Sequence, residues 1–471
     1  MTGKDRPAVR AGEGSSLPAK AGLTRRDVLK TSAIGALAAT AGAAAAGGPI
    51  AQAGEAPAGP AFSTGKVAGL RFKALVRWGT GTQLINIRLR ELQPTQVLVR
   101  TLACCGCYTI VPTILGTNNM ETPTVPNHST MGIVEAVGPQ VRRVRAGDRV
   151  LVSGTPECGT CYQCLHGEPS RCNYLGLNNN TPFADTFGVG QPTPVLQQSG
   201  VGGVAEYSVA WEEYCIPIFS DLPHDQVAML GDTFAAGYLA TKVYRPLTGG
   251  EDVVIFGAGP VGLGAIQGAH AGGAGQVIVV EPVPYRQEKA RASGATAVLD
   301  PNKFPVNGND DTLVTAIRGM CNGPTERVEA GGRRQTVTGN FVGGDLVIDA
   351  SGFEQRPPKV VSGPDPTGIR PLTQAYHVTA HGGHFVPLAV QQGNFSVPGS
   401  TFSLKSMHTH GGQMAGVHAM RDTPRMVKMA ERHFVDIGSI ITMRVPLERA
   451  VEGWQAVADR TTLGMVVVFP E

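Results

Sequence analysis

From residue 70 the chain reads as short apolar-rich runs broken by turns. Runs at residues 70–78, 85–92, 96–103, 132–137 and 149–152 predict strands, the last entered through a Gly147-Asp148 turn. Short strands bounded by turn residues predict a compact β-rich domain. Past Leu230 the rhythm changes: strands predicted at 253–256, 277–280, 346–350 and 384–389 alternate with helices, two of them at 263–270 and 285–293. Alternation of this kind predicts a parallel sheet covered by helices, so the fold class is α/β. From Met420 the tail predicts a helix, a turn, a strand at 440–445, a helix at 447–459 and a last strand at 465–469. Three segments stand outside these patterns. Residues 322–340, polar and glycine-rich, and 353–370, proline-rich, predict surface loops, while 175–200, rich in Asn, Pro and Gln, is expected to line or border a cleft.

The second half is organised around Asp252-Val-Val-Ile-Phe-Gly257-Ala-Gly259-Pro260-Val261-Gly262, an apolar strand entering a glycine-punctuated turn and a helix. Gly257 suits the tight turn, Gly259 lets a pyrophosphate approach the backbone, and Gly262 lets helix and strand pack closely. The helix N-terminus then faces the phosphates with free N–H groups. In a chain with 62 glycines such a pattern can also arise as a ligand-free turn. Its context favours a dinucleotide: the run 276–281 ends in Glu281, 19 residues beyond Gly262, where an acid binds ribose hydroxyls of NAD and repels the 2′-phosphate of NADP. Arg286 lies nearby as a further contact to the coenzyme.

Charge changes the picture at the N-terminus only. Residues 1–53 hold seven Lys/Arg against three acids, a net of +4, which leaves −1 for the remainder of a chain whose formal total is +3. No nucleic-acid partner is implied. Thr24-Arg25-Arg26-Asp27-Val28-Leu29-Lys30 resembles a twin-arginine export signal, followed by an Ala/Gly-rich run at 31–46 and by Ala51-Gln52-Ala53, an A-x-A cleavage pattern. The run is short and built of small residues, whereas a membrane span needs about 20 strongly apolar positions; an uncleaved anchor is the alternative. The expected location is the periplasm or the extracellular space, reached through the twin-arginine machinery.

Four of the nine cysteines, Cys158, Cys161, Cys164 and Cys172, form C-x2-C-x2-C-x7-C. Four thiolates on one loop can close a tetrahedral zinc site. Disulfides are the alternative, favoured by export; the two-residue spacing, and folding in the reducing cytoplasm before export, favour metal. A second group, Cys104-Cys105-Gly106-Cys107, ends a predicted strand, and His128 follows 21 residues after Cys107. A bare cysteine pair reads as core packing, but Cys plus His, with one more ligand and an open position, makes a catalytic zinc.

With these residues in view, the chain resembles the zinc-containing medium-chain alcohol dehydrogenase family over residues 70–471. The resemblance rests on Gly132-Ile-Val-Glu-Ala-Val-Gly138, Gly147-Asp-Arg-Val150, the four-cysteine loop, Gly203-Val-Ala-Glu-Tyr207, the Gly257 turn and Pro446-Leu-Glu. After the signal peptide (1–53) and linker (54–69) read from the N-terminal residues themselves, it implies a GroES-like catalytic domain at 70–232 carrying the structural zinc loop. A Rossmann NAD-binding domain at 233–411 and a return to the catalytic domain at 412–471 complete the order. By position it implies Cys107 and His128 as catalytic zinc ligands. Asp232, in Leu230-Gly-Asp-Thr-Phe234, stands as the third ligand, as in the subgroup resembling glutathione-independent formaldehyde dehydrogenases and dismutases. Thr109 takes the place of the hydroxyl that accepts the alcohol proton. Departures from the family pattern fall at Ile110 and Ser129, where acids are usual, at Gly464, where a base is common, and at Pro112, where a His often ends the proton relay.

The expected protein is therefore an exported oxidoreductase with two zinc ions, one catalytic and one structural. It would pass hydride between a primary or secondary alcohol, or an aldehyde hydrate, and a tightly held NAD. An external electron acceptor is an expected partner, and the expected assembly is a homo-oligomer. An aldehyde dismutase, or a zinc- and nucleotide-holding binding protein with little turnover, are the alternatives.

Overall fold

The computed structural model describes residues 67–176, 180–242, 246–307, 310–321, 327–330, 333–336, 342–352, 369–391 and 393–470. The twin-arginine pattern, the cleavage pattern, most of the linker and most of the 353–370 segment lie outside the described residues. Among the described residues no helix is long and apolar enough to cross a membrane.

The strands Arg71–Gly79, Gly81–Leu89, Ala184–Thr186, Pro194–Gln197 and Met120–Val125 pair in that order into a closed barrel. Period-two burial drives this: Phe72, Ala74 and Val76 point inward while Arg71 and Lys73 stay exposed. Two of the barrel strands fall within 175–200, whose ends, Leu175, Gly176 and Ser199, line the cleft. Being three and four residues long, these strands are too short to show an alternation.

A seven-stranded sheet is built on Gln96–Cys105, whose Val97, Leu98 and Val99 are wholly buried. This strand pairs antiparallel with Ser129–Val137, Tyr207–Trp211 and Gly464–Val468. Ile441–Pro446 then pairs parallel with Gly464–Val468, so the tail folds back onto the first half of the chain.

The third sheet runs Ala297–Leu299, Gln276–Val280, Asp252–Phe256, Gly344–Asp349, Thr379–Pro387 and His408–Thr409, all parallel. Strand order reverses beside Asp252–Phe256, so a crevice opens at the carboxyl ends of that strand and of Gly344–Asp349, the place where such sheets bind ligands. The helix after the glycine turn is Pro260–Ala271, starting three residues earlier than its apolar pattern predicts, because Pro260 is preorganised for the first helical position. The predicted helix at 447–459 is a 3-10 turn, Leu447–Arg449, followed by Ala450–Ala458. Within 322–340 the chain forms a hairpin, Arg327–Ala330 with Arg333–Thr336.

The helices Thr233–Ala240 and Pro260–Ala271 cross in backbone contact. A Cβ on Gly237 would lie 1.7 Å from the Val261 carbonyl oxygen, and one on Gly264 would lie 2.3 Å from that of Phe234. Every residue of Thr233–Ala240 is buried, as expected of a helix apolar on all sides.

Candidate active site and metal centres

Gln96–Cys105 ends at Gly106, whose N–H donates to the Met465 carbonyl at 2.7 Å, and the chain then turns to present Cys107 and Thr109. His128 immediately precedes Ser129–Val137. Its neighbour Asn127 adopts φ 90° and is fixed by its side-chain amide donating to the carbonyls of Cys105 (3.1 Å) and Ser129 (3.2 Å). Asp232 immediately precedes Thr233–Ala240. Three separate stretches thus bring one sulfur, one imidazole nitrogen and one carboxylate oxygen within 4.8 Å of one another.

These donors fit a zinc ion. The Asp232 Oδ2 atom is buried without a hydrogen-bond partner and lies 3.6 Å from His128 Nε2. Burial first, and then the Asp232 carboxylate, push the Cys107 thiol well above its ordinary value. A buried thiol and carboxylate crowded around an imidazole form a set that a cation reconciles, and three protein ligands leave a fourth position for substrate. Thr109 Oγ1 sits beside the set, 3.0 Å from Cys107 Sγ and 3.4 Å from His128 Nε2.

The sulfur atoms of Cys158, Cys161, Cys164 and Cys172 also lie within 4.8 Å of one another, and all four are free thiols. The Cys158–Cys164 and Cys161–Cys172 separations are 3.9 and 4.0 Å. That is close to the edge, about 3.8 Å, of a tetrahedron with the usual zinc–sulfur bond. Main-chain N–H groups of Thr160 and Cys161 donate to Cys158 Sγ at 3.4 and 3.2 Å. Burial raises the Cys161 thiol, but N–H donation from Asn173 and Cys164 and the neighbouring thiols outweigh it and bring it to about 6. Cys158 is lowered likewise, whereas burial raises Cys164 and pushes Cys172 up to about 12, so it is the four-sulfur geometry that fits a closed zinc site.

The opposite wall of the same cleft is the glycine turn. Gly257 has φ +94°, and a Cβ there would meet the Ala350 carbonyl at 2.8 Å, so both conformation and space require glycine. A Cβ on Gly262 would lie 1.9 Å from the Gly257 carbonyl. Gly259, by contrast, faces open space with only Arg286 Nη1, at 3.8 Å, near its missing Cβ, which leaves room for a phosphate against the main chain. Glu281 is buried, with its carboxylate oriented by N–H groups of Ala258 (2.7 Å) and Val283 (2.9 Å). Arg286 donates to the Tyr285 hydroxyl at 3.1 Å and to the Thr462 carbonyl at 2.9 Å. Cys107, Thr109, His128 and Asp232 line one part of a cavity of about 770 Å³, and Gly257, Gly259, Pro260, Val261, Glu281 and Arg286 line another. Gly262 lies behind the turn rather than on the cavity wall.

The family departures are structurally consistent. Ile110 and Ser129 are both buried, and Ser129 Oγ lies 3.3 Å from Cys105 Sγ. Gly464 is packed with its missing Cβ 3.0 Å from the Ile440 carbonyl, which leaves no space for a basic side chain. Sequence reasoning missed Asp349. Its fully buried carboxylate accepts from Ser351 N (3.1 Å), Ser351 Oγ (2.6 Å) and Gln391 Nε2 (2.7 Å), tying together two loops of the coenzyme wall. Burial raises its carboxyl above the ordinary value. The signal was present as an acid closing the apolar run Leu346-Val-Ile-Asp349.

Residues 93–220 match the family model of the alcohol dehydrogenase GroES-like domain and residues 260–356 that of zinc-binding dehydrogenases. Alcohol dehydrogenase class-P of Arabidopsis thaliana is 30% identical over 289 residues, covering 59% of this chain and 74% of that protein. S-(hydroxymethyl)glutathione dehydrogenase of Haemophilus influenzae is 31% identical over 234 residues, covering 47% and 60%. The chain spans 60–66% of the length of the first three curated relatives it matches. In fold it is similar to benzyl alcohol dehydrogenase from Acinetobacter calcoaceticus, with a TM-score of 0.68 at 22% identity, covering 85% of this chain and 100% of that one. With both lobes matched and the class-P relative covered over most of its length, the chain belongs to the zinc-containing medium-chain alcohol dehydrogenase family, for which zinc and NAD are typical.

Proposed function

We propose that the chain transfers hydride between an alcohol or aldehyde and NAD at the Cys107–His128–Asp232 site. One observation carries this: three zinc-type donors and the Thr109 hydroxyl converge on the same cavity as the Gly257 turn. Held there, zinc supplies a Lewis acid toward an alcohol or carbonyl oxygen, and NAD supplies the hydride acceptor. Thr109 Oγ1, beside both Cys107 and His128, would accept a hydrogen bond from the alcohol hydroxyl and orient it. Gly259 and the N-terminus of Pro260–Ala271 receive the pyrophosphate, and Glu281, prealigned by Ala258 and Val283, accepts from the adenosine ribose hydroxyls.

The proposal includes the N-terminus. The twin-arginine pattern around Arg25 and Arg26 supports export of the folded chain. Outside the cytoplasm a dissociating coenzyme would be lost, so NAD is loaded before export and retained. Electrons then pass to a second aldehyde or an external acceptor. Mass spectrometry of native protein from the exported fraction counts zinc and nucleotide together. Two zinc ions and one nucleotide per chain, with NADH absorbance appearing on addition of alcohol alone, are expected. Protein that arrives empty and works only with millimolar free NAD refutes retention, and protein that forms no NADH from any alcohol refutes the hydride-transfer reading.

A further inference from the structure

Three hydroxyls surround Gly154 on the metal side of the cavity, and the hydrogen bonding of two of them has a fixed direction. Ser153, Gly154, Thr155 and Ser199 all line the cavity. Ser153 Oγ donates to the Gly231 carbonyl at 3.0 Å, and that carbonyl can only accept. The 2.9 Å contact between Ser153 Oγ and Thr155 Oγ1 must therefore be donated by Thr155. With its proton committed, Thr155 Oγ1 offers only acceptor lone pairs to anything else. Ser199 stands close by, at φ +55°, its Cβ 3.8 Å from where a Cβ on Gly154 would lie. This group abuts the metal donors. A Cβ on Gly154 would sit 2.9 Å from the His128 carbonyl, and Gly231 directly precedes Asp232.

Charge narrows what such a wall accepts. Among the described residues the cations lining the cavity are Arg286, Arg370 and Arg460. Arg286 belongs to the helix Pro284–Ala292, Arg370 is the second residue of the helix Ile369–Val378, and Arg460 follows the helix Ala450–Ala458, its carbonyl accepting from the Tyr285 hydroxyl at 2.7 Å. Arg286 and Arg370 stand on coenzyme-side elements, Arg460 is joined to them through Tyr285, and the Gly154 wall holds only neutral hydroxyls.

We propose that the Gly154 wall is a subsite for a second hydroxyl on the substrate, received as a donor by Thr155 Oγ1 and also contacted by Ser199. The preferred substrates are accordingly uncharged diols or hydroxyaldehydes rather than simple alkanols. This rests on the reading that the site acts on alcohols. Thr155 is a specificity-determining residue here, because an alkanol brings no donor to its remaining lone pairs.

The test compares 1,2-propanediol and 1,3-propanediol with 1-propanol in the zinc- and NAD-loaded protein. The better diol should exceed 1-propanol in kcat/KM by up to about tenfold, the scale of one net hydrogen bond. Thr155→Val should bring that ratio to near one, Thr155→Ser should keep it, and Ser199→Gly, which suits the positive φ, should lower it. A wild-type ratio at or below one overturns the subsite, and so does Thr155→Val protein of full zinc content that keeps the wild-type ratio. If neither diol nor alkanol yields NADH, the hydride-transfer reading fails separately. Calorimetric titration of the same compounds then decides the subsite: diol binding tighter than 1-propanol and lost in Thr155→Val supports it, and equal binding overturns it.

Discussion

Substituting alanine for Gly264 tests how tightly the metal-bearing and nucleotide-bearing helices are joined. Two effects oppose each other. Gly→Ala inside a helix stabilises by about 1 kcal/mol. Against this, the new Cβ would lie 2.3 Å from the Phe234 carbonyl oxygen and 3.2 Å from Tyr238 N, both main-chain atoms. No rotamer change relieves such a contact, so the helices must separate by roughly 1 Å. Overpacking costs about 1–3 kcal/mol where side chains can adjust, and a backbone contact belongs at the upper end. The net is a loss of about 2 kcal/mol. Gly319→Ala is the control. It sits exposed in the helix Thr312–Met320 with nothing within 4 Å of its missing Cβ, so the same substitution should stabilise there. Guanidinium denaturation midpoints and zinc content should be measured for both variants. Because Asp232 adjoins the displaced helix, Gly264→Ala should lose catalytic zinc while keeping the structural ion. A midpoint at or above wild type, with both ions retained, would refute the reasoning.

Metal analysis should separate the two centres: Cys161→Ser removes one zinc and lowers the melting temperature, whereas Asp232→Ala removes the other and abolishes turnover; one zinc or none in wild-type protein contradicts this. Titration into protein stripped of bound nucleotide, followed by NADH and NADPH fluorescence, should show wild type preferring the NAD form over the NADP form. Glu281→Gln, which keeps the side-chain length but not the charge, should narrow that preference by about 2 kcal/mol, and equal wild-type affinities would contradict the role of Glu281. Stability should also depend on Glu251 in acid. Burial works against its charge, but Thr248 N, Thr248 Oγ1 and Gly249 N donate to it and hold its carboxyl at about 2, below the ordinary 4.5. A depressed carboxyl stabilises the fold above pH 4.5, and that contribution, up to roughly 3 kcal/mol, is lost as pH falls toward 2. Glu251→Gln should therefore destabilise at neutral pH and flatten the fall in denaturation midpoint between pH 5 and pH 2, and an unchanged slope rules the linkage out.

The parallel sheet was legible in the sequence because strands such as Asp252–Phe256 and Gln276–Val280 are buried on both faces and write themselves as unbroken apolar runs. The four-cysteine loop was legible because its ligands lie close together in the chain, and the Gly257 turn because conformation and close approach both demand glycine at one position. The third ligand, Asp232, came only through family resemblance, since no local spacing connects it with Cys107 or His128. Asp349 and the Ser153–Thr155 pair were missed for the same physical reason. Their roles arise from partners on other elements, Gln391 for the first and Gly231 for the second, and a juxtaposition across a fold leaves no period in the chain.

The place of Gly464–Val468 beside Gln96–Cys105 sets an order of assembly. Gly106 reaches its final position by donating to Met465, so the turn that presents Cys107 and Thr109 is completed by a strand made near the end of synthesis. The four ligands of the Cys158–Cys172 loop come from one short stretch of chain and can meet as soon as it exists, although Pro169–Arg171 within it later packs against Gln413–Gly416. Contacts between distant parts of a chain form late because their closure entropy must be met before they stabilise anything. Metal loading therefore runs in sequence: the four-cysteine site can fill while the chain is still emerging, and the site formed by Cys107, His128 and Asp232 becomes competent only after the last strand of its sheet has docked.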